Sequence, residues 1–223
     1  MPRDNSPKER YQHQLARKQN KRAPYDRILV VCEGSKTEPN YFKEIKSQYQ
    51  LQSANIQILP SAGTSPLQVV EYAEKIFRKG DLNKGIAKRA FDRVYAVFDC
   101  DSHPSYNEAL TETGNLDNKL RNDNNQKVRF RAIPSNPCFE LWLLLHYQDA
   151  YTLTPSADVL YKLKAHFPAY TKSAKNVFEQ TRNKLSKAIE RAERLKGISS
   201  PTNTTNSYTG VHELVKTLTT LKD

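Results

Sequence analysis

The sequence predicts an α/β fold, a mostly parallel sheet flanked by helices and followed by a C-terminal helical extension. Two observations carry this. Compact apolar runs of strand length alternate with helical periods over the first 150 residues, and from residue 155 onward only helical patterns remain. A βαβαβ(α)βα order implies a mostly parallel sheet covered on both faces.

Taken in order, residues 27–32 (RILVVC) form an unbroken, largely β-branched run, as a strand buried on both faces requires. Residues 39–50 carry a helical pattern, with Pro39 in the first turn where a missing N–H is tolerated. NIQILP at 55–60 alternates like a shorter strand. The loop Gly63-Thr64-Ser65-Pro66 places a serine to cap, and a proline to open, a helix that runs to about residue 79. RVYAVFD at 93–99 is the third strand. Residues 105–122 begin helical, and Thr113-Gly114-Asn115 predicts a break there. VRFRAI at 128–133 is the fourth strand, and FELWLLLHY at 139–147 a strongly apolar helix. The stretch 155–222 reads as helices only, separated by a polar loop at 198–208. The chain thus divides into a basic arm (1–23), an α/β core (24–150) and a helical extension packed on the core (151–223).

Composition excludes several classes. With 37% hydrophobic and 26% charged residues the chain is globular in character, and no run of 18 apolar residues predicts a membrane span. MPRDNSPKER lacks the apolar centre of a secretory signal. Cys32, Cys100 and Cys138 are far apart, in or beside apolar segments, without a CxxC or Cys/His grouping. They are expected to be reduced core residues of a cytoplasmic protein rather than a disulfide or zinc site.

The net charge of +11 is unevenly placed. Residues 1–23 hold seven Lys/Arg against two Asp/Glu and almost no apolar residues, so the arm cannot bury enough surface to fold alone. It is either a solubilising segment or an arm that tracks a nucleic-acid backbone. In 172–196, Val177, Leu185, Ile189 and Leu195 recur at helical spacing among lysines and arginines, as a solvated helix face or a binding surface would. Together the two stretches favour a polyanionic partner over a neutral one.

In parallel sheets reactive groups collect beyond the carboxyl ends of the strands. Glu33 follows the first strand, Asp99 and Asp101 the third, and Ser135, Asn136 and Glu140 the fourth. The stretch Cys32-Glu33-Gly34-Ser35-Lys36-Thr37 is not a phosphate loop. A Walker A pattern needs lysine directly after its second glycine and another glycine five positions earlier, where this chain has Ser35 and Leu29. What remains is a carboxylate at the tip of a buried strand, costly unless solvated, paired or bound to a cation; Glu33 could equally cap its turn or pair with Lys36. Asp99 and Asp101, at i and i+2, project to the same side if the segment stays extended, with Cys100 facing the opposite way. That arrangement suits one hard cation, and a solvated turn often carries two acids as well.

The combination is more specific than its parts. An apolar strand ending in Glu-Gly and a later one ending in Asp-x-Asp resembles the TOPRIM domain, with its Rossmannoid parallel sheet. VVCEGSKTEPNYF, VFDCDSH, SNPCFELWLLLHY and, more loosely, NTTNSYTGVHELV resemble the RloB-like branch associated with bacterial defence loci. The resemblance runs from about residue 24 to the end of the chain. It implies Glu33 as general acid or base or as a metal ligand, and Asp99 and Asp101 as ligands of Mg2+ or Mn2+. TOPRIM patterns often add a third acid one or two positions later; this chain has His103, which leaves Glu140 as the substitute ligand or, equally, a first-turn acid favouring its helix dipole.

The implied activity is phosphodiester hydrolysis in nucleic acid, by an effector of an antiphage or abortive-infection system that acts with a separately encoded ATPase. Lys36 could meet a phosphate oxygen or lie solvated on the surface. Asn136 could orient Glu140 or a water, or serve the turn before Pro137; His103 is a weaker substrate-binding candidate. His146, ending an apolar helix, is expected to be structural. The competing reading is a nucleic-acid- or partner-binding module with a TOPRIM core and little catalysis. A phosphotransferase of the haloacid-dehalogenase type expects a Gly-Thr pair after the second aspartate, which Ser102-His103-Pro104 does not supply.

Overall fold

The computed structural model describes residues 24–101, 103–152, 154–203 and 206–222. The basic arm at 1–23 lies outside them.

Five strands form one sheet in the order β2-β1-β3-β4-β5. They are β1 (Ile28–Cys32), β2 (Ile56–Pro60), β3 (Arg93–Asp99), β4 (Arg129–Asn136) and β5 (Tyr208–Thr209). The first four pair in parallel, and β5 adds antiparallel, Ser135 opposite Thr209 and Asn136 opposite Tyr208. Every residue of β1 is buried, as a central strand covered on both faces must be.

The two faces carry separate cores, sorted by strand alternation. Leu29 and Val31 of β1, with Val94, Ala96 and Phe98 of β3, pack against α2 (Pro66–Lys79) and α3 (Tyr106–Leu116). Ile28, Val30 and Cys32, with Tyr95 and Val97, face the larger core. That core holds α1 (Thr37–Gln48), α4 (Glu140–Leu144), α5 (Ser156–His166), α6 (Val177–Thr181), α7 (Leu185–Ile198) and α8 (Val211–Thr219). Leu141 to Leu145 are all buried, because α4 lies between the sheet and the C-terminal helices. Its Trp142 indole N–H donates to the Tyr41 hydroxyl at 2.8 Å, which satisfies both polar groups inside the core.

At the amino-terminal edge of the sheet, buried Arg27 is clamped by two carboxylates. Its guanidinium lies 2.6 Å from Asp92 and 2.6 Å from Asp123, joining the start of β1 to the loops before β3 and β4. Asn122 adds a 2.7 Å bond to Asp92. Burial pushes the Asp92 carboxyl up, and the Arg27 guanidinium and backbone N–H with the Asn122 amide outweigh it and hold the group below its usual range.

Most elements fall where expected: Ser65 caps α2 by accepting from Gln68 N, and Pro66 opens it. Four differ. The helix begun at 106 passes through Gly114 without a break and ends at Leu116. Burial of Tyr106, Ala109, Thr113 and Leu116 outweighs the roughly 1 kcal/mol cost of a helical glycine. The fourth strand continues past Ile133 to Asn136, because β5 supplies a partner for its last two residues. The apolar helix is shorter than its sequence pattern and closes at Leu144, with the Leu145 carbonyl taken by Arg191 Nη1 at 2.7 Å. Finally, 155–222 is not helical throughout, since it contributes β5. Gly210 is held there by its N–H donating to Pro134 O at 2.8 Å.

Charge in 172–196 is largely consumed by pairing. Arg191 and Arg194 face Asp149, Arg194 and Lys187 face Glu190, and Lys196 meets Glu213 at 2.7 Å. Val177 and Leu195 are buried while Leu185 and Ile189 pack at the edge of the core, as a solvated amphipathic face predicts.

Candidate active site

The strand order places β1 between β2 and β3, so the chain leaves β1 in one direction and enters β3 in the other. The carboxyl ends of β1 and β3 therefore form the topological switch point, where open α/β sheets bind ligands. Glu33 follows β1 directly, and its N–H donates to Val97 O of β3 at 2.9 Å. Its carboxylate Oε2 accepts from the Asp99 N–H at 3.0 Å. Two acids 66 residues apart in sequence are thus locked together at the two strand tips.

A cleft of about 460 Å3 opens here. Its acids are Glu33, Glu38, Asp99, Asp101 and Glu140, and its cations Lys36 and Lys172. All four main sequence candidates (Glu33, Asp99, Asp101, Glu140) therefore share one cavity, with Lys36 at its rim.

Each acid is held differently. Asp99 ends β3 and faces the cleft, while Cys100 turns into the opposite core, as the alternation predicts. Asp101 reaches the cleft by another route than expected. The strand ends at Asp99, Cys100 N donates to Ser135 O at 2.8 Å, and Asp101 sits in a turn at φ +33°. The extended i, i+2 geometry does not hold, and Asp101 is positioned instead by the Ser156 hydroxyl, which donates to its Oδ1 at 2.8 Å. Glu140 opens α4 and is buried, and the Tyr170 hydroxyl donates to its Oε1 at 3.0 Å. Its first-turn place suits the helix dipole, and beyond that Glu140 lies in the cleft wall with a dedicated donor.

Glu38 is the acid that sequence reasoning missed. It lies in the first turn of α1, where an acid is unremarkable, yet it is only 6% exposed and accepts from Gly34 N at 3.3 Å. Gly34 explains the fit. Its φ is not in the left-handed region; a Cβ there would collide with the Glu38 carboxylate. A side chain at this position would make the Glu38 carboxylate swing aside, so the glycine permits the close approach of a second acid.

The electrostatics follow from this crowding. Burial, and then the charges of Glu38, Glu140 and Glu33, push the Asp99 carboxyl well above the usual carboxylate range. Burial raises Glu38, reinforced by Glu140 and Glu33. Glu33 is raised by burial and by Asp101, against the lowering effect of its bond from Asp99 N–H. In the opposite sense, Glu140 above all holds the Lys172 ammonium more firmly protonated, with Asp99 and Asp101 adding to it. Lys172 comes from the loop between α5 and α6, docked on the first strand's turn by the Thr37 hydroxyl donating to its carbonyl.

The acids line one cleft without converging on a point. Among the described residues no three His, Cys, Asp or Glu side chains are arranged as a ready-made ion site. Two weaker candidates lie next door rather than inside. The Asn136 Nδ2 donates to Asn206 O at 2.8 Å and ties β4 to the segment entering β5. His103 is engaged through Nδ1 by Ser105 at 3.0 Å. Both line an adjoining cavity. His146 is a core residue, its Nδ1 against Trp142 O at 3.1 Å, and burial pushes its imidazole down to about 4.

Tyr170 had no signal in the sequence, and Lys172 showed only as the first cation of the basic stretch 172–196; each comes from a loop some 140 residues beyond Glu33. The C-terminal motif SYTGVHELV turns out to build the wall beside the site, through β5, Gly210 and buried His212.

No curated protein and no solved structure matches the chain. Comparison with protein families finds a match over residues 28–218, most of the chain and all of the residues that build the cleft, to the description RloB-like protein. The chain belongs to the RloB-like protein family.

Proposed function

We propose that the acidic cleft hydrolyses phosphodiester bonds in nucleic acid with the help of a divalent cation, Mg2+ or Mn2+. The observation that carries this reading is the gathering of five carboxylates at the switch point between β1 and β3. Such a cluster is unfavourable in the metal-free protein, and partly buried carboxylates with raised pKa values in a cleft mark functional sites.

The donor set fits a hard cation. Every acid offers oxygen, and carboxylates with retained waters are what Mg2+ and Mn2+ select. Glu33, Asp99 and Asp101 would hold the ion, with Glu140 and Glu38 beside them, once the side chains reorient from their spread positions. When bound, the ion would neutralise phosphate charge and acidify a coordinated water.

The chain's own groups supply the rest. In the alternative role, with Asp99 and Asp101 holding the ion and Glu33 left off it, the Glu33 carboxyl, raised by burial and by Asp101, is suited to take a proton from an attacking water or return one to the leaving oxygen. Lys172, held protonated above the acids, and Lys36 at the rim offer point charges to non-bridging phosphate oxygens. Tyr170 fixes Glu140 by a buried hydrogen bond. The resemblance to RloB-like proteins of defence loci supports a role as an antiphage effector working with a separately encoded ATPase.

A second reading, a nucleic-acid- or partner-binding module with little catalysis, is favoured by one observation: no three acids converge among the described residues. The test is incubation of purified protein with plasmid, single strands and structured RNA in Mg2+ or Mn2+, beside Glu33→Gln and Asp99→Asn. Cleavage that needs the metal and is lost in both variants supports the nuclease. Binding of the same substrates without any cleavage supports the module.

A further inference from the structure

A second cavity, of about 820 Å3, adjoins the acidic cleft and shares Asp101 with it as a common wall. Its volume falls within the roughly 300–1,000 Å3 of small-molecule sites. Its lining differs in kind from the cleft. Pro104, Tyr106, Pro137 and Pro155 give it flat apolar surfaces, and among the described residues lining it the one carboxylate is the shared Asp101. Polar groups stand around this apolar floor: His103, Asn107, Asn136, Thr154 and Ser156.

These groups come from three separate parts of the fold. The turn after β3 and the start of α3 give His103 to Asn107, the end of β4 gives Asn136 and Pro137, and the approach to α5 gives Thr154 to Ser156. Several are fixed by bonds behind the cavity. Tyr106 OH donates to Pro201 O at 2.9 Å, Asn136 to Asn206 O, and Thr154 Oγ1 to Thr152 O at 3.1 Å. Ser105 engages His103 at Nδ1, which orients the ring and leaves its Nε2 edge for a ligand.

An apolar slot edged by amide, hydroxyl and imidazole groups matches a planar heterocycle with hydrogen-bonding edges. It does not match a second phosphate, for among the described residues that line it there is no lysine or arginine. We infer that this cavity binds the nucleoside next to the scissile phosphate, its base between the proline faces and its edge read by His103 and Asn107. The inference rests on the nuclease reading for the word scissile; the cavity's chemistry does not. Because a base inside a duplex reaches such a pocket only at the cost of being flipped out, the site favours an unpaired nucleotide in a single strand or loop over a paired one.

The test uses the full chain in EDTA, where no cleavage occurs. Binding of nucleoside 5′-monophosphates, in ribose and deoxyribose forms, is compared with ribose 5-phosphate by equilibrium dialysis. The two sugar forms distinguish an RNA from a DNA preference. The bases are expected to differ among themselves, and ribose 5-phosphate to bind at least about tenfold more weakly than the best of them. Asn107→Trp, which fills the mouth from an exposed position, and His103→Ala, which removes the ring, are each expected to weaken nucleotide binding, the former by about tenfold. Their melting temperatures serve as the folding control, and either variant alone suffices if the other does not fold.

Equal binding of nucleotide and sugar phosphate, or nucleotide binding unmoved by both variants, overturns the inference. A parallel cleavage assay on single strands and duplexes in Mn2+ separates it from the function proposed above. Base-dependent binding without cleavage leaves the pocket standing and removes the nuclease. Metal-dependent cleavage without base-dependent binding does the reverse.

Discussion

Replacing Asp99 by asparagine exchanges a charged, crowded side chain for a neutral one of the same shape. The structure predicts that the metal-free variant is more stable than the wild type. Asp99 is partly buried at the strand tip, and the charges of Glu38, Glu140 and Glu33 act against its ionised form. At an effective dielectric constant of about 20, one like charge costs roughly 4 kcal/mol at 4 Å and about 2 at 8 Å. The cluster relieves part of this by retaining protons, so the gain is set at about 1–3 kcal/mol. For a chain of this size that raises the melting temperature by roughly 2–12 °C.

The sign with pH is defined. A carboxyl whose folded pKa lies above its unfolded value near 4 binds more protons in the native state, so its penalty is absent below about pH 4 and complete only above the folded pKa. The advantage of asparagine therefore grows from acid towards about pH 8. His146, neutral in the core until about 4, destabilises both proteins alike on acidification, so the difference between melts is the quantity to read. Divalent cation reverses the order: saturating the wild type at about 100 times Kd adds some 2.7 kcal/mol, which the variant cannot gain in full. Differential scanning fluorimetry in EDTA and in Mn2+ at several pH values measures all of this. An asparagine variant less stable than wild type in EDTA at about pH 8, with an equal response to Mn2+, would refute the electrostatic reasoning.

Other outcomes follow from the same geometry. Tyr170→Phe removes the donor to buried Glu140 and is expected to cost about 1.5–3 kcal/mol, roughly 3–12 °C in melting temperature, with an unchanged melt as the contrary result. Arg27→Ala leaves Asp92 and Asp123 facing one another without their cation. Breaking a buried pair costs roughly 3–5 kcal/mol, and the partial exposure of both acids brings this to about 2–3, measurable by urea unfolding. Deleting residues 1–23 tests the basic arm: the slope of log affinity against log salt for a single strand should flatten by about 0.7 for each phosphate the arm contacts. An unaltered slope assigns the arm to solubility.

What the sequence revealed and what it hid divide along physical lines. Glu33 and Asp99 were legible because each ends an apolar run, and parallel topology brings strand tips together whatever the loops do. Asp101 reached the same cavity for a reason the pattern did not contain, a turn at φ +33° steadied by Ser156. Glu38 was concealed by its ordinariness as a first-turn acid. The available clue was Gly34 four residues earlier, where a side chain would displace the Glu38 carboxylate. Tyr170 could not be read at all, and Lys172 only as part of the basic stretch 172–196, since a loop far along the chain places them by tertiary packing. The two-residue β5 is likewise too short to leave a period, and only its pairing with Ser135 and Asn136 makes it a strand. Gly114 misled in the other direction, because a local breaker lost to the burial of its helix.

Titration of the full chain with Mn2+, followed by the loss of the free-ion electron paramagnetic resonance signal, is the most direct measurement of whether these carboxylates form an ion site. Saturable binding to the wild type is expected, weakened at least about tenfold in Asp99→Asn and in Glu33→Gln. Binding that is absent in the wild type, or equal in all three proteins, would contradict it.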